Sequence, residues 1–393
     1  MNTNKYRQIT ELIFRNNGST KNVFALAMDI GYSGVKVFAP HVVARFPSYA
    51  RRISNEFDFV SGLNDNAMIY TDNVTGERWL VGEAAQAQIN MKDTTDSESA
   101  LYGRERYGMP MFSVLARCGL AMGMLDKDYK NAFNPQEKTL VVQTGLPEKY
   151  LSMDKDLLVE ILSGKHSFTL QIGKHVIDFD FTLHEENVYV MSQPKGTLFS
   201  VCIGRDGNWH ADAKKYMTSS VLVFDPGFGT LDIFPIRAGA VDGNGETFTN
   251  LGMKRVMQET LNKIKETSGV EISVPAFQKY LETGEYKYTD RRKLVSKSVP
   301  FDNLLKEASE QVCNEAIETM LSIFDIAEDY DYLIITGGTG AAWLNMIKEK
   351  FAGLETLKII EGNQNDTLPF VFSNVRGYYL YRFSQLLKIH GRE

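Results

Sequence analysis

Two stretches of the chain place a carboxylate beside a glycine turn between apolar runs. AMDIGYSGVKVF (27–38) and VFDPGFGTLDIF (223–234) align position by position. Asp29 falls on Asp225, Gly31 on Gly227, Tyr32 on Phe228, Val35 on Leu231, Val37 on Ile233 and Phe38 on Phe234, while Lys36 falls on Asp232. The offset is 196 residues, half of the 393-residue chain. A duplication at that period predicts two like domains, each presenting one hairpin turn. The turns Gly31-Tyr32-Ser33-Gly34 and Gly227-Phe228-Gly229-Thr230 are rich in glycine and small hydroxyls, so backbone N–H groups can approach an anion closely. Two such turns facing each other would grip a polyphosphate. Asp29 and Asp225 cannot bind phosphate themselves, but they can hold the waters of a Mg²⁺ ion that does. Lys36 supplies a point charge for phosphate oxygens. The plain alternative is two ordinary hairpins that happen to look alike.

A third turn, Gly337-Gly338-Thr339-Gly340, follows the apolar run LIIT and opens a helical pattern. N–H groups at a helix start suit a phosphate, and bare glycines let a nucleoside lie flat. It is neither a GxxxxGK[ST] loop nor a GxGxxG loop.

The elements that must position these turns read as interleaved strands and helices, an α/β class. Strands are expected at VFALAMD, VKVFA, VVARFP, Trp79–Val81, TLVVQTGLP, SFTLQI and VIDFDF, with Gly173 as a turn between the last two. NVYVMSQPKGTLFSVC (187–202) reads as a strand that breaks at Gln193-Pro194. Helices are expected at 111–125, 252–267 and 303–324, the last with Asp302 as N-cap. The C-terminal stretch VFSNVRGYYLYRFSQLLK reads as a strand running into a helix. Before Val23, Tyr6, Ile9, Leu12 and Ile13 share one face of a helix that Asn16-Asn17-Gly18 would end. That segment carries Lys5, Arg7 and Arg15 against Glu11; a contact with protein is favoured over one with membrane.

Composition narrows the functions. A net charge of −6 argues against a general nucleic-acid or anionic-membrane binder. Cys118, Cys202 and Cys313 are far apart with no CxxC, as expected of reduced thiols in a cytoplasmic protein. No His/Cys cluster has metal-ligand spacing, and no apolar run nears the roughly 20 residues that span a bilayer.

With the three turns in order, the sequence resembles the actin superfamily, which includes sugar kinases and heat-shock ATPases. Asp29–Lys36 resembles the first phosphate motif, Asp225–Asp232 the second, and Gly337–Gly340 the adenosine motif. VMSQPKG resembles the first connecting segment, with Gln193 where the family carries Gln or Glu, and FSNVRGYYL (372–380) resembles the second. Within the superfamily, ARFPS, WLVGEAA, TGLPEKYL and NVRGYYL are similar to ParM-type bacterial actins, filament-forming ATPases that segregate plasmids. The extra residues before Val23 depart from that pattern.

The resemblance implies an actin-like, duplicated ribonuclease H-like fold with two domains flanking a nucleotide cleft. Residues 1–22 would be an extension. Domain I would take 23–190 plus 372–393, with a smaller insert at about 40–105. Domain II would take 191–371, with a helical insert at about 253–330. ATP and Mg²⁺ would be the cofactors, with Asp29 and Asp225 reaching the metal through water and Gln193 positioning the attacking water. Partners would be other copies, in a helical filament, and an adaptor protein holding plasmid DNA, with no direct nucleic-acid contact and no membrane span. Arg376 reads equally as a hinge ion-pair residue or a surface arginine. Two other functions fit the same fold. A small-molecule kinase would need an acceptor pocket and a catalytic carboxylate; a chaperone-like ATPase would need a substrate domain.

Overall fold

The computed structural model describes residues 3–57, 59, 62, 64–89, 103–241, 243–290 and 292–392. Part of the expected smaller insert, 90–102, lies outside them.

The duplication appears as two sheets built on the same plan. In the first, the strands run in the order Glu11–Phe14, Val42–Pro47, Gly34–Phe38, Val23–Ile30, Thr139–Leu146, Val188–Ser192. Val23–Ile30 pairs antiparallel with Gly34–Phe38 and parallel with Thr139–Leu146. In the second, Ser220–Pro226 pairs antiparallel with Leu231–Arg237 and parallel with Tyr332–Ile335, which lies beside Lys358–Glu361. All eight residues of Val23–Ile30 are buried. That is why the run is continuously apolar instead of alternating: elements cover both faces of the sheet. Helix Pro110–Gly123 covers one face of the first sheet, and helix Ser373–His390 contacts the same central strands.

A five-stranded antiparallel sheet takes Ala50–Ile53, Arg78–Val81 and Met68–Asp72 from one stretch of chain, and Gly164–Ile172 and His175–Leu183 from another. Between the strands of the second sheet, helices Met253–Ser268 and Asp302–Ile323 pack on one another. A two-stranded hairpin, Glu285–Asp290 with Val295–Pro300, lies in the same stretch.

Two helices connect the halves, Gln193–Cys202 and Ser373–His390. They cross at glycines: a Cβ on Gly377 would sit 1.7 Å from the Gly196 carbonyl oxygen. No other residue fits there, so the backbones meet directly. Beside the crossing, the Arg376 guanidinium is buried. It donates to Asp366 at 3.0 Å and to the Ser200 carbonyl at 2.5 Å, and Arg15 donates to the same Asp366 carboxylate through two bonds. Arg376 is therefore a buried ion-pair residue beside the helix crossing and not a surface arginine.

Several local expectations are corrected. The N-terminal segment is not an amphipathic helix. Thr3–Tyr6 forms one 3₁₀ turn, and Glu11–Phe14 is a strand paired with Val42–Arg45. An open sheet edge offers backbone hydrogen bonds along the whole segment, and these outweigh a short helix in water. Asp302 is the first helical residue and not the cap, which is Phe301. The break expected at Gln193-Pro194 is present: the strand ends at Ser192 and the chain is helical from Gln193, since Pro194 is tolerated in a first turn. The C-terminal stretch opens with a 3₁₀ turn, Phe370–Phe372, where a strand was expected. Among the described residues, no helix is long and apolar enough to cross a membrane.

Candidate functional site

The hairpin strands pair in equivalent register. Asp29 lies opposite Lys36, and Asp225 opposite Asp232. Each turn closes with the same backbone bond, Gly31 N–H to the Gly34 carbonyl at 3.1 Å and Gly227 N–H to the Thr230 carbonyl at 2.8 Å. The turns face each other closely. A Cβ on Gly229 would meet the Tyr32 ring at 2.9 Å, so this glycine lets the first turn rest on the second.

The glycine turn at 337 completes the arrangement. Gly337 has φ of 76°, and a Cβ there would lie 2.4 Å from an Asp225 carboxylate oxygen. The Thr339 hydroxyl donates to the Gly227 carbonyl at 2.7 Å, tying this turn to the second hairpin. Helix Met253–Ser268 begins on the same turn, with Met253 and Lys254 N–H groups on the Gly227 and Phe228 carbonyls.

Between these pieces lies a cleft of about 370 Å³, within the range of small-molecule sites. Asp29, Gly31, Tyr32, Ser33, Lys36, Gln193, Asp225, Gly227, Phe228, Thr230, Gly337, Gly338 and Thr339 all line it. Gly34, Gly229 and Gly340 lie behind the lining. Gly229 and Gly340 allow close packing, against Tyr32 and Ile335 respectively. Gln193 is the first residue of its helix, directly after strand Val188–Ser192.

Three carboxylates converge at the floor. Lys36 Nζ donates to Asp29 at 3.0 Å. Asp232 accepts from Thr230 and Thr247 hydroxyls at 2.9 and 2.7 Å, and burial lifts its pKa to about 6. Asp225 accepts from the Asn374 amide at 2.7 Å. Its pKa is lifted to about 7, by burial first and then by the neighbouring Asp232 charge. Lys36 is bonded to Asp29, and the Asp225–Asp232 pair is held by neutral donors, which leaves a like-charge repulsion at the floor. A bound cation would relieve it. Among the described residues no group of three or more His, Cys, Asp or Glu side chains is arranged to hold a metal. Asp29 and Asp225 both line the cleft beside the two turns, where carboxylates could order the waters of a hydrated cation. The Thr144 hydroxyl, also in the lining, is buried without a protein partner.

Sequence reasoning missed several lining residues. Asn374 stands inside the segment singled out as the second connection, but nothing local shows that it reaches Asp225. Pro369, Phe370, Val371 and Met253 give the cleft an apolar wall. Arg106 is buried, donates to the Ile30 carbonyl at 2.7 Å and stacks over the Tyr32 ring, holding the first turn from behind. No spacing signal could have found these, because each is brought in by tertiary packing.

Comparison with known proteins bears on the fold. The family described as actin like proteins N terminal domain matches residues 27–196. No curated protein sequence matches. Among solved structures, a non-polymerisable quadruple mutant of pCBH ParM is similar at TM-score 0.70 and 18% identity, covering 93% of this chain and 100% of that one. A 15-stranded ParM filament from Clostridium botulinum gives TM-score 0.68 and 18% identity, covering 93% and 99%. An archaeal actin homologue in complex with ADP gives 0.59 and 15%, covering 91% and 98%. The chain therefore has the actin-like fold, with an actin-like N-terminal domain at 27–196 and a likeness to the ParM-type bacterial actins.

Proposed function

We propose that this chain is a nucleotide-dependent, filament-forming actin-like ATPase that moves plasmid DNA through an adaptor protein, working in the cytoplasm. One observation carries the reading: two duplicated hairpin turns face each other across a cleft whose third wall is a glycine turn, and Thr339 and Tyr32 lock the three together. The arrangement suits a nucleoside polyphosphate.

On this reading the N–H groups of 31–34 and 227–230 hold phosphates from opposite sides, and Lys36 neutralises them. The apolar wall of Pro369–Val371 and the bare face of Gly338 take the base. A Mg²⁺ ion bound with the nucleotide supplies charge on the phosphate oxygens. Asp29 and Asp225 would hold its water shell, and Asn374 fixes the Asp225 carboxylate. Gln193 orients the attacking water and is too weak a base to do more, so hydrolysis is slow and works as a timer. The two helices that cross at Gly196 and Gly377 turn nucleotide state into a domain angle. The likeness to a chain solved as a filament supports assembly of copies, and on this reading assembly favours the ATP state. The acidic chain leaves DNA to the adaptor.

The test is calorimetric titration with Mg-ATP and Mg-GTP, followed by phosphate release. The native chain should bind ATP, and Gln193→Ala should keep binding while releasing phosphate at least tenfold more slowly. A native chain that binds neither nucleotide would end this reading.

A further inference from the structure

Residues 3–15 touch both halves of the molecule. On the first half, Glu11–Phe14 extends the sheet, the Thr10 N–H donates to Glu83 at 2.6 Å, and Arg45 pairs with Glu11 at 2.8 Å. On the second half, Tyr6 is buried in the core that surrounds helix Asp302–Ile323, with its hydroxyl hydrogen-bonded to Ser309. The Thr3 hydroxyl donates to the Leu281 carbonyl at 2.7 Å, and the Gln8 N–H to the Gln278 side chain at 3.3 Å. Arg7 spans the gap itself, with Glu83 at 2.8 Å on one side and Glu282 at 3.3 Å on the other. Between these anchors, Lys5, Tyr6, Arg7 and Gln8 line the cleft, and the Gln8 amide oxygen lies against Gly34 of the first turn.

We propose that this segment is a strap: it pins the two halves together over the cleft, and exchange of nucleotide requires its release from the second half. The proposal rests on the nucleotide reading of the cleft for its exchange step only. The pinning itself is a property of the unliganded chain. The anchors are unequal in a way that suits a gate. The first-half side is a strand within a continuous sheet, whose ladder must break to let go. The second-half side is one buried, hydrogen-bonded tyrosine, two further hydrogen bonds and a partly exposed ion pair, so the strap would open there and stay attached at Glu11–Phe14. The halves also touch directly: the Lys279 ammonium donates to the Ile89 carbonyl, Tyr32 rests on Gly229, and Tyr49, Leu80 and Ile89 join the same core cluster as Tyr6. The strap adds to that contact on the side where Lys5–Gln8 line the cleft.

The experiment uses the full chain, a variant lacking residues 2–9, and Arg7→Gln, which cuts only the bridging ion pairs and leaves the Tyr6 core intact. All three native cysteines are buried, so spin labels go selectively to Val74→Cys and Asn314→Cys, exposed positions on the two halves. Interspin distances are measured without nucleotide, and release of a fluorescent ATP analogue is timed with Mg²⁺. Both variants should lengthen and broaden the distance distribution. Release should quicken at least tenfold in the deletion and several-fold in Arg7→Gln. An unchanged distance in a cooperatively folding Arg7→Gln and in the deletion would overturn the proposal, even if release quickened. If the native chain binds no nucleotide while the distance still shifts, the strap stands and the nucleotide reading falls.

Discussion

Asp225 and Asp232 are cross-strand partners in a buried hairpin, at the register that Asp29 and Lys36 hold in the other half. One copy of the duplication thus pairs its acid with a lysine, and the other pairs it with a second acid. The Asn374 amide and the hydroxyls of Thr230 and Thr247 bond the second pair, and the Lys36 charge acts on Asp225 from across the cleft.

This asymmetry makes the unliganded protein sensitive to pH. Burial raises Asp225 to about 7 and Asp232 to about 6, above the ordinary carboxylate value. The folded state therefore holds more protons than the unfolded one. Stability from these groups is full below about pH 4 and is lost as pH rises towards 7. Asp225→Asn should melt higher than the native chain at pH 8, by roughly 2–4 kcal/mol in stability, and the gap should close on acidification to pH 4. Thermal melts across pH, without nucleotide, check this.

Lys36 serves Asp29 in the unliganded protein and, on the proposed reading, phosphate in the bound one. Lys36→Met should weaken Mg-ATP binding by about 10- to 100-fold, since a charge-assisted hydrogen bond contributes about 1.5–3 kcal/mol. Calorimetry at two salt concentrations would show the loss to be smaller at high salt.

Gly337→Ala tests the third turn. The added methyl would collide with the Asp225 carboxylate at 2.4 Å, in a backbone conformation at φ 76° that alanine disfavours by about 1–2 kcal/mol. Nucleotide binding should be lost while the secondary structure, followed by circular dichroism, persists.

The hinge cluster should be the more fragile place. Asp366 is buried; burial alone would raise its pKa, but Arg15 and Arg376 bring it below the usual carboxylate range. Arg376→Met removes one partner and strands part of that charge, at a cost of about 3–5 kcal/mol. Chemical denaturation should register the loss at pH 7, and a smaller one as Asp366 is protonated in acid.

The hairpins, their turns and the repeat were legible because each is local: an apolar run, a glycine turn and an Asp at fixed spacing survive in any context. The strap was not. Tyr6, Ile9, Leu12 and Ile13 fit a helical face, yet the free edge of Val42–Pro47 recruits the segment as a strand, and an edge cannot be read from the residues that will cover it. Asn374, Arg106 and Phe370 escaped for the same reason, since their partners lie far away in sequence. Arg376 stood undecided until its burial against Ser200 and Asp366 was visible.

The most direct test of the central claim is light scattering with pelleting after addition of Mg-ATP, beside Mg-ADP and an Asp225→Ala protein. The account predicts that ATP alone drives assembly of the native chain, and that turbidity decays as phosphate appears. It also predicts that Asp225→Ala fails to complete this cycle. Bound ATP with no particles at any protein concentration would contradict it.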